Sequence, residues 1–338
     1  MIGRILVPAL DELELRRIIA DGDMDGLFAA VVLKARFPDA EVRFSHPAEI
    51  RSGIIDHLID RNTAICDLPF HEQCGLYLDH HATNRPSQEI EERFTLAGGI
   101  CIWEDKPSAA RVAWEHFGGD DHLPSLGTAM AFVDRLDSGG LQLQELREGH
   151  PLLWFSRTID VRDGEYVHSV LNRLSQGMPL DELLQSADVV SRCQQQSSAA
   201  KRLNKLISEK VELIDRLAIM RMDETGERTN GYALTAFVGK DCDACCVIHG
   251  WVDGDISTPE RPALSASFYC NSFLHPNGGI FDLTRMATHY DETGGGHHNA
   301  CGCRIQPLSV DGDIEDRPVE SEDIERNLKG WLDVWSKR

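Results

Sequence analysis

The stretch "IIADGDMDGLFAA", residues 18–30, sets aspartates at positions 21, 23 and 25 between an apolar run and a segment with helical spacing. A short apolar run that ends in an Asp/Gly turn and passes directly into a helix reads as one strand–turn–helix unit of a parallel sheet. Like charges crowded at such a turn repel unless a cation or strong hydrogen-bond donors offset them. Taken alone, DGD and MDG are also ordinary turn chemistry, because Asp bonds its own backbone and Gly admits positive φ. What else converges on the turn decides between these readings.

Outward from this stretch, the first 150 residues alternate apolar runs with helical patterns: RRIIA, LFAAVVLKARF, VRFSH, TAICDL and GLYLDH. The alternation predicts a parallel α/β sheet, in which ligands collect just past the carboxyl ends of the strands. Asp21, Asp23, Asp25, Asp67 and the run Asp79, His80, His81 all fall at such ends. Asp67, followed by Pro69, also reads as a helix cap. His80 and His81 follow a strand, so their rings point different ways. One can bind metal and the other face a ligand, with Asp79 buttressing a ring nitrogen. Further on, "GTAMAFVDRLDSGG" adds Asp134 and Asp137. Carboxylates with imidazoles suit manganese, zinc or iron better than calcium, which takes oxygen alone.

From about 165 to 212 the pattern turns helical, and 151–212 reads as a helical connector. A second, smaller α/β domain is expected over 213–338, with LAIMRM, GYALTAFVG and PALSASFYC as strands and FDLTRMATHY as a helix. ERNLKGWLDVWSK reads as a closing helix with Leu328, Trp331, Leu332 and Trp335 on one face. FVGKDCDACCVIHG reads as the start of a helix whose small thiols sit in the core. The CxxC spacing of Cys242 and Cys245, with Cys301 and Cys303 later, leaves structural zinc as the alternative, though no second CxxC exists.

Composition bounds the rest. A length of 338 residues suggests two cores. Hydrophobic content of 42% and charged content of 26% are ordinary globular values, and no apolar run approaches the ~20 residues of a membrane span. The N-terminus lacks a signal-peptide pattern, so the chain reads as soluble and cytoplasmic, with its ten cysteines reduced. A net charge of -21 argues against broad binding to a nucleic-acid backbone, yet a metal can set the sign within one cleft.

The order of these motifs resembles the DHH phosphoesterase family: DxD after the first strand, a lone Asp after a later one, DHH at 79–81, and a fourth acidic motif. "TGGGHHNACG", 293–302, resembles the GGGHxxAxG signature of the DHH-associated C-terminal domain. The relatives implied are RecJ-like, nanoRNase-like and exopolyphosphatase-related proteins. The resemblance implies a catalytic domain over 1–150 and a substrate-binding domain over 213–338. It also implies two divalent ions, usually manganese. Asp23 would bind one ion and Asp25 the other, Asp67 would bridge them, and His80 would complete the set with Asp137 or Asp134. His81 would contact the substrate phosphate and Asp79 would orient a histidine, so Asp67, Asp79, His80 and His81 are the catalytic candidates. Many relatives carry a histidine four residues before the first Asp of the pair; here that place is Ile19, and Asp21 can supply a ligand as in the RecJ-like DxDxDG form.

Gly294, Gly295 and Gly296 would let the backbone approach a ligand and form an anion nest, with His297 donating to a phosphate. The family's usual arginine shortly after a serine is absent from "LSASFYCN", which offers Ser267, so Arg285 or Arg304 is the candidate replacement. The reading is a metal-dependent phosphoesterase for small anionic phosphoesters: short oligonucleotides, dinucleotides or 3',5'-bisphosphorylated nucleosides. Alternatives are a RecJ-like single-strand exonuclease, an exopolyphosphatase, and a non-catalytic nucleotide sensor. A long-strand exonuclease calls for a basic, aromatic groove, and aromatic content here is 7%. The family also implies a homodimer as one assembly.

Overall fold

The computed structural model describes residues 10, 13–227, 229, 231–255, 258 and 261–338. The chain divides into two compact units, one of Met1–Leu141 with Gly149–Ser197 and the other of Gln142–Glu148 with Ser198–Arg338.

The first unit begins β1 (Arg17–Asp21), α1 (Met24–Arg36), β2 (Glu41–Ser45), α2 (Pro47–Arg51), β3 (Thr63–Cys66) and β4 (Leu76–Asp79). It continues α3 (Gln88–Leu96), β5 (Ile100–Trp103), α4 (Ala109–His116), α5 (Gly119–His122) and α6 (Gly127–Asp137). After α7 (Leu143–Glu148), whose residues belong to the second unit, come α8 (Pro151–Ser156), α9 (Gly164–Ser175) and α10 (Leu180–Gln185). The division between units then falls within α11 (Ala187–Lys210).

The strands form a wholly parallel sheet in the order β2-β1-β3-β4-β5. Helices cover both faces, so β3 and β4 are buried along their whole length, as unbroken apolar runs require. β1 leads outward to β2, while β3 lies on its other side. The order of travel therefore reverses between β1 and β3, the switch point at which open α/β sheets bind ligands. α1 starts there because Asp23 caps it, accepting a hydrogen bond from the Gly26 N–H at 3.0 Å. Gly26 is needed at that start: a Cβ would stand 2.3 Å from the Asp21 carbonyl oxygen.

The second unit has β6 (Glu212–Ile214), β7 (Leu217–Arg221), α12 (Gly231–Val238), β8 (Ala244–His249) and β9 (Ser265–Cys270). It ends with α13 (Thr284–Ala287), β10 (Gly295–His297), β11 (Ala300–Arg304) and α14 (Ser321–Trp335). The sheet runs β10-β11-β9-β8-β7-β6, with β7 and β8 parallel and the other pairs antiparallel. Three sequence expectations fail here. GYALTAFVG is helical, because it forms the crossover between two parallel strands, and such strands cannot be joined by a tight turn. DCDACC starts no α-helix; it leads into β8, a central strand held on both sides by β7 and β9. FDLTRMATHY keeps only the single helical turn of α13.

α14 lays Leu328, Trp331 and Trp335 into the core, with Trp331 edge-on to Phe268 at 5.0 Å between ring centroids. All ten cysteines are free thiols. Cys242 and Cys245 belong to one core cluster of this unit, and Cys246, Cys270, Cys301 and Cys303 to the other. Burial pushes the Cys242 thiol up to about 11 and Cys301 to about 12, and among the described residues the groups that could hold a metal ion include no cysteine. Replacing the fully buried Trp331 with alanine should destabilise the fold by about 3–5 kcal/mol, read from the midpoint of urea unfolding.

Candidate metal centre

Strands β1, β3 and β4 end side by side, and each delivers an acid. Asp21 closes β1, Asp67 follows β3, and Asp79 closes β4 with His80 and His81 behind it. Asp25 sits in the first turn of α1 and Asp137 ends α6. Among the described residues, ligand atoms of Asp67, Asp79, His80 and His81 lie within 4.8 Å of one another, as do those of Asp25, His80 and Asp137. His80 belongs to both groups.

The His80 ring sits at the centre of this cluster. Its Nδ1 stands 3.0 Å from the Lys106 carbonyl oxygen, which can only accept, so Nδ1 carries the hydrogen. Nε2 then faces Asp137 Oδ2 at 3.2 Å, Asp25 Oδ2 at 3.6 Å and Asp67 Oδ1 at 3.9 Å. None of these approaches is aligned as a hydrogen bond, and both Nε2 and Asp67 Oδ1 are buried without a partner. A buried nitrogen and a buried carboxylate oxygen left open toward the same space fit a divalent cation.

Asp79 differs. Its Oδ1 accepts from the His80 N–H at 2.7 Å, the His81 N–H at 3.2 Å and His81 Nδ1 at 3.0 Å. Its Oδ2 accepts from the Tyr77 hydroxyl at 2.8 Å and Asn84 Nδ2 at 2.9 Å. Both oxygens are occupied, so Asp79 orients His81 within the cluster. Tyr77 and Asn84, which complete this hold, carried no sequence signal beyond lying near DHH.

Electrostatics agrees with the geometry. Burial, and then the Asp23 charge, pushes Asp21 from 3.8 up to about 7. Burial and neighbouring carboxylates likewise raise Asp25 and Asp67. Burial opposes ionisation of Asp79, yet the hydrogen bonds from His81, Tyr77 and Asn84 outweigh it and hold that group below the usual range. The Asp79 bond raises His81. Burial would lower His80, but Asp137, the Lys106 carbonyl and Asp79 together outweigh it and raise it.

Two anchors fix the acids in place. The Ala109 and Ala110 N–H groups, at the start of α4, donate to the two oxygens of Asp25 at 2.7 Å each. Asp134 turns elsewhere, accepting from Ser108 Oγ at 2.8 Å and Arg111 Nε at 3.1 Å. Asp137, not Asp134, therefore approaches His80. Asp67 itself has φ 59, a left-handed backbone that Asp and Asn tolerate better than most residues. Ile19, at the place of the family's histidine, is fully buried in β1.

In the second unit, Gly295 and Gly296 lie within strand β10, with Gly294 just before it, and β10 turns back into β11 through His298 and Asn299. A Cβ at Gly296 would stand 2.8 Å from the Ala300 carbonyl oxygen, and one at Gly294 would stand 2.5 Å from that of Ala287. These glycines answer the chain's own close approach, and His297 is exposed on the outer strand β10. Arg304 is engaged by Asp291 at 3.4 Å and by Thr293 Oγ1 at 2.8 Å, while Arg285 lies over the Phe281 ring at 5.1 Å. Ser267, in β9, pairs with Gly302.

Comparison with known proteins places this architecture. A pGpG-specific phosphodiesterase from Vibrio cholerae superposes with TM-score 0.69 at 22% identity, over 95% of this chain and 99% of that one. A DHH domain described as a member of the S1p family of ribosomal proteins gives 0.58 at 13% identity, over 95% and 87%. Exonuclease RecJ bound to manganese gives 0.51 at 14% identity, over 96% and 92%. The chain has the DHH fold. No family model and no curated protein matches the sequence itself. Among the described residues of this DHH fold, no helix is long and apolar enough to cross a membrane.

Two predictions follow from the cluster's charge. Without metal, the raised carboxylates stay protonated where the unfolded chain ionises. Their contribution to stability is therefore full below about pH 4 and drains as pH rises toward 7. Manganese should then raise the melting temperature more at pH 8 than at pH 5, by scanning calorimetry; equal shifts would contradict this. Asp137→Asn should weaken manganese binding in titration calorimetry. Asp134→Asn should leave binding intact and lower stability by about 1–3 kcal/mol through the Arg111 and Ser108 bonds.

Proposed function

We propose that this chain is a metal-dependent phosphoesterase that hydrolyses short phosphoesters, linear dinucleotides first among them. The observation that carries the reading is the unpartnered pair of Asp67 Oδ1 and His80 Nε2, set among Asp25 and Asp137 at the sheet's switch point. Asp23, Asp25, Asp67, His80 and Asp137 would hold two divalent ions, with Asp21 beside them. Manganese is the ion of choice, since the donors are carboxylates and imidazole and the RecJ structure of the same fold is bound to manganese. Such ions, when bound, acidify water and neutralise charge developing at phosphorus.

The chain's own residues do the rest. Asp67 carries a buried carboxylate on a left-handed backbone. His80, fixed by the Lys106 carbonyl, keeps Nε2 as a ligand atom. His81 is held by Asp79, whose hydrogen bond raises its proton affinity, and is proposed to donate to a phosphate oxygen. The first unit is proposed as catalytic. The second is proposed to bind substrate through Gly294–Gly296, His297 and one of Arg285 or Arg304. A short substrate is supported by the charge of -21, which disfavours a long polyanion, and by the pGpG specificity named for the V. cholerae phosphodiesterase.

Manganese-dependent hydrolysis of a panel tests this: a linear dinucleotide, a longer single strand, a bisphosphorylated nucleoside, a cyclic dinucleotide and polyphosphate. The dinucleotide should be cleaved fastest. Asp67→Asn, which keeps a residue tolerant of φ 59, and His80→Ala should each lower kcat by about a hundredfold or more with the fold retained by circular dichroism. Near-normal rates in both variants would sink the assignment.

A further inference from the structure

The end of β5 is joined to the start of α4 through "WEDKPSAA", residues 103–110, which supplies no member of either group of metal-binding atoms among the described residues. Asp25, Asp79, His80 and His81 are nonetheless all held by it. At its start, Trp103 Nε1 donates to the His81 carbonyl oxygen at 2.9 Å, and the Glu104 N–H donates to the Asp79 carbonyl oxygen at 3.2 Å. In its middle, the Lys106 carbonyl accepts from His80 Nδ1 at 3.0 Å. At its end, the Ala109 and Ala110 N–H groups donate to the two oxygens of Asp25. One short segment thus grips both the DHH run and the acid in the first turn of α1.

Local chemistry explains how it does so. Pro107 biases Lys106 away from the helical region, which leaves the Lys106 carbonyl outside α4 and able to accept from a side chain. Ser108, fully buried, caps α4: its Oγ accepts from the Arg111 N–H at 3.0 Å. The first amides of a helix have no acceptor within it. This cap satisfies the third and leaves the first two, on Ala109 and Ala110, to Asp25. One bond to each oxygen fixes the plane of that carboxylate, whose Oδ2 stands 3.6 Å from His80 Nε2. Ser108 Oγ also donates to Asp134 Oδ1 at 2.8 Å, which ties the start of α4 to α6, the helix that ends in Asp137. Lys106 Nζ on Glu115 at 2.6 Å and His116 Nε2 on Glu104 at 2.8 Å close the segment onto α4 from outside.

Groups that hold a metal ligand in place are commonly worth tenfold or more in metal affinity, although they never touch the ion. We infer that Ser108 and Trp103 are positioning residues of this centre: Ser108 sets Asp25 for the ion through the start of α4, and Trp103 sets the backbone of His81 for the substrate phosphate. The Ser108 part rests on the cluster being a metal site. The Trp103 part rests in addition on the phosphoesterase reading. An ordinary helix cap and an ordinary half-buried tryptophan would affect stability alone, and that difference can be measured.

The test titrates manganese into the full chain by calorimetry and measures kcat and KM on a linear dinucleotide. Ser108→Ala should weaken manganese binding by about tenfold, and Ser108→Thr, which keeps the hydroxyl, should restore most of the loss. Leu174→Ala, at a fully buried position of α9, reports what instability alone does, and its manganese affinity should stay within about twofold of wild type. Trp103→Phe keeps a ring and loses the N–H. It should also stay within about twofold in manganese affinity while lowering kcat/KM by about tenfold. Ser108→Ala that binds manganese as Leu174→Ala does, with Trp103→Phe at the wild-type kcat/KM and wild type active, would overturn this inference alone. Wild type that hydrolyses nothing, with manganese binding still weakened in Ser108→Ala, would overturn the phosphoesterase reading and leave Ser108 in its role. Trp103→Phe carries the test by itself if Ser108→Ala does not fold.

Discussion

Repulsion among carboxylates at the carboxyl edge of the parallel sheet is the constraint on which the first unit depends. β1, β3 and β4 are apolar and buried up to their last residues, and each then releases an acid into the same space. Such charges are unfavourable together in a setting that excludes water, as the raised proton affinities of Asp21, Asp25 and Asp67 record. The fold counters part of this with helix starts. α1 begins at Asp23 and α4 lends two amide groups to Asp25, so the positive ends of two helices meet the negative cluster. The remainder is charge that a cation can balance.

Identical residue types within this cluster are prepared for different work by their surroundings. Asp79 and Asp67 are both buried aspartates a few ångströms apart, but Asp79 has its acceptor positions filled and Asp67 keeps an oxygen open. The former fixes a ring; the latter waits for a ligand. His80 and His81 divide in the same way. One is steered by a backbone carbonyl that leaves Nε2 bare, the other by a carboxylate that favours its protonated form. Hydrogen-bond accounting separates supporting residues from ligating ones where residue identity cannot.

The first unit was legible because its signals are local. RRIIA, TAIC and GLYLD are apolar runs cut off by Asp, and each became a strand with its acid at the edge. In the second unit the decisive facts are not local. GYALTAFVG is apolar and short enough to be a strand; it is a helix because β7 and β8 lie parallel. DCDACC has turn-like residues and becomes the entry to a central strand because neighbours flank it on both sides. The same limit held at the cluster. Sequence favoured Asp137, whose DSGG context resembles the family's Asp-Ser/Thr-Gly form, but kept Asp134 as well, since what diverts Asp134 is Arg111 and Ser108, more than twenty residues earlier. The Lys106 carbonyl that sets the His80 tautomer leaves no trace in residue type at all.

The left-handed backbone of Asp67 narrows the routes by which this protein can change. Glycine and asparagine would accept the same torsion, yet neither brings a negative charge, and glutamate brings the charge with a side chain poorly suited to that torsion. No single replacement satisfies both demands. Under the proposed role, in which Asp67 holds an ion, selection acting on this position has one viable letter. Loss of that letter would then mark a descendant that has given up the proposed chemistry while the surrounding sheet goes on folding.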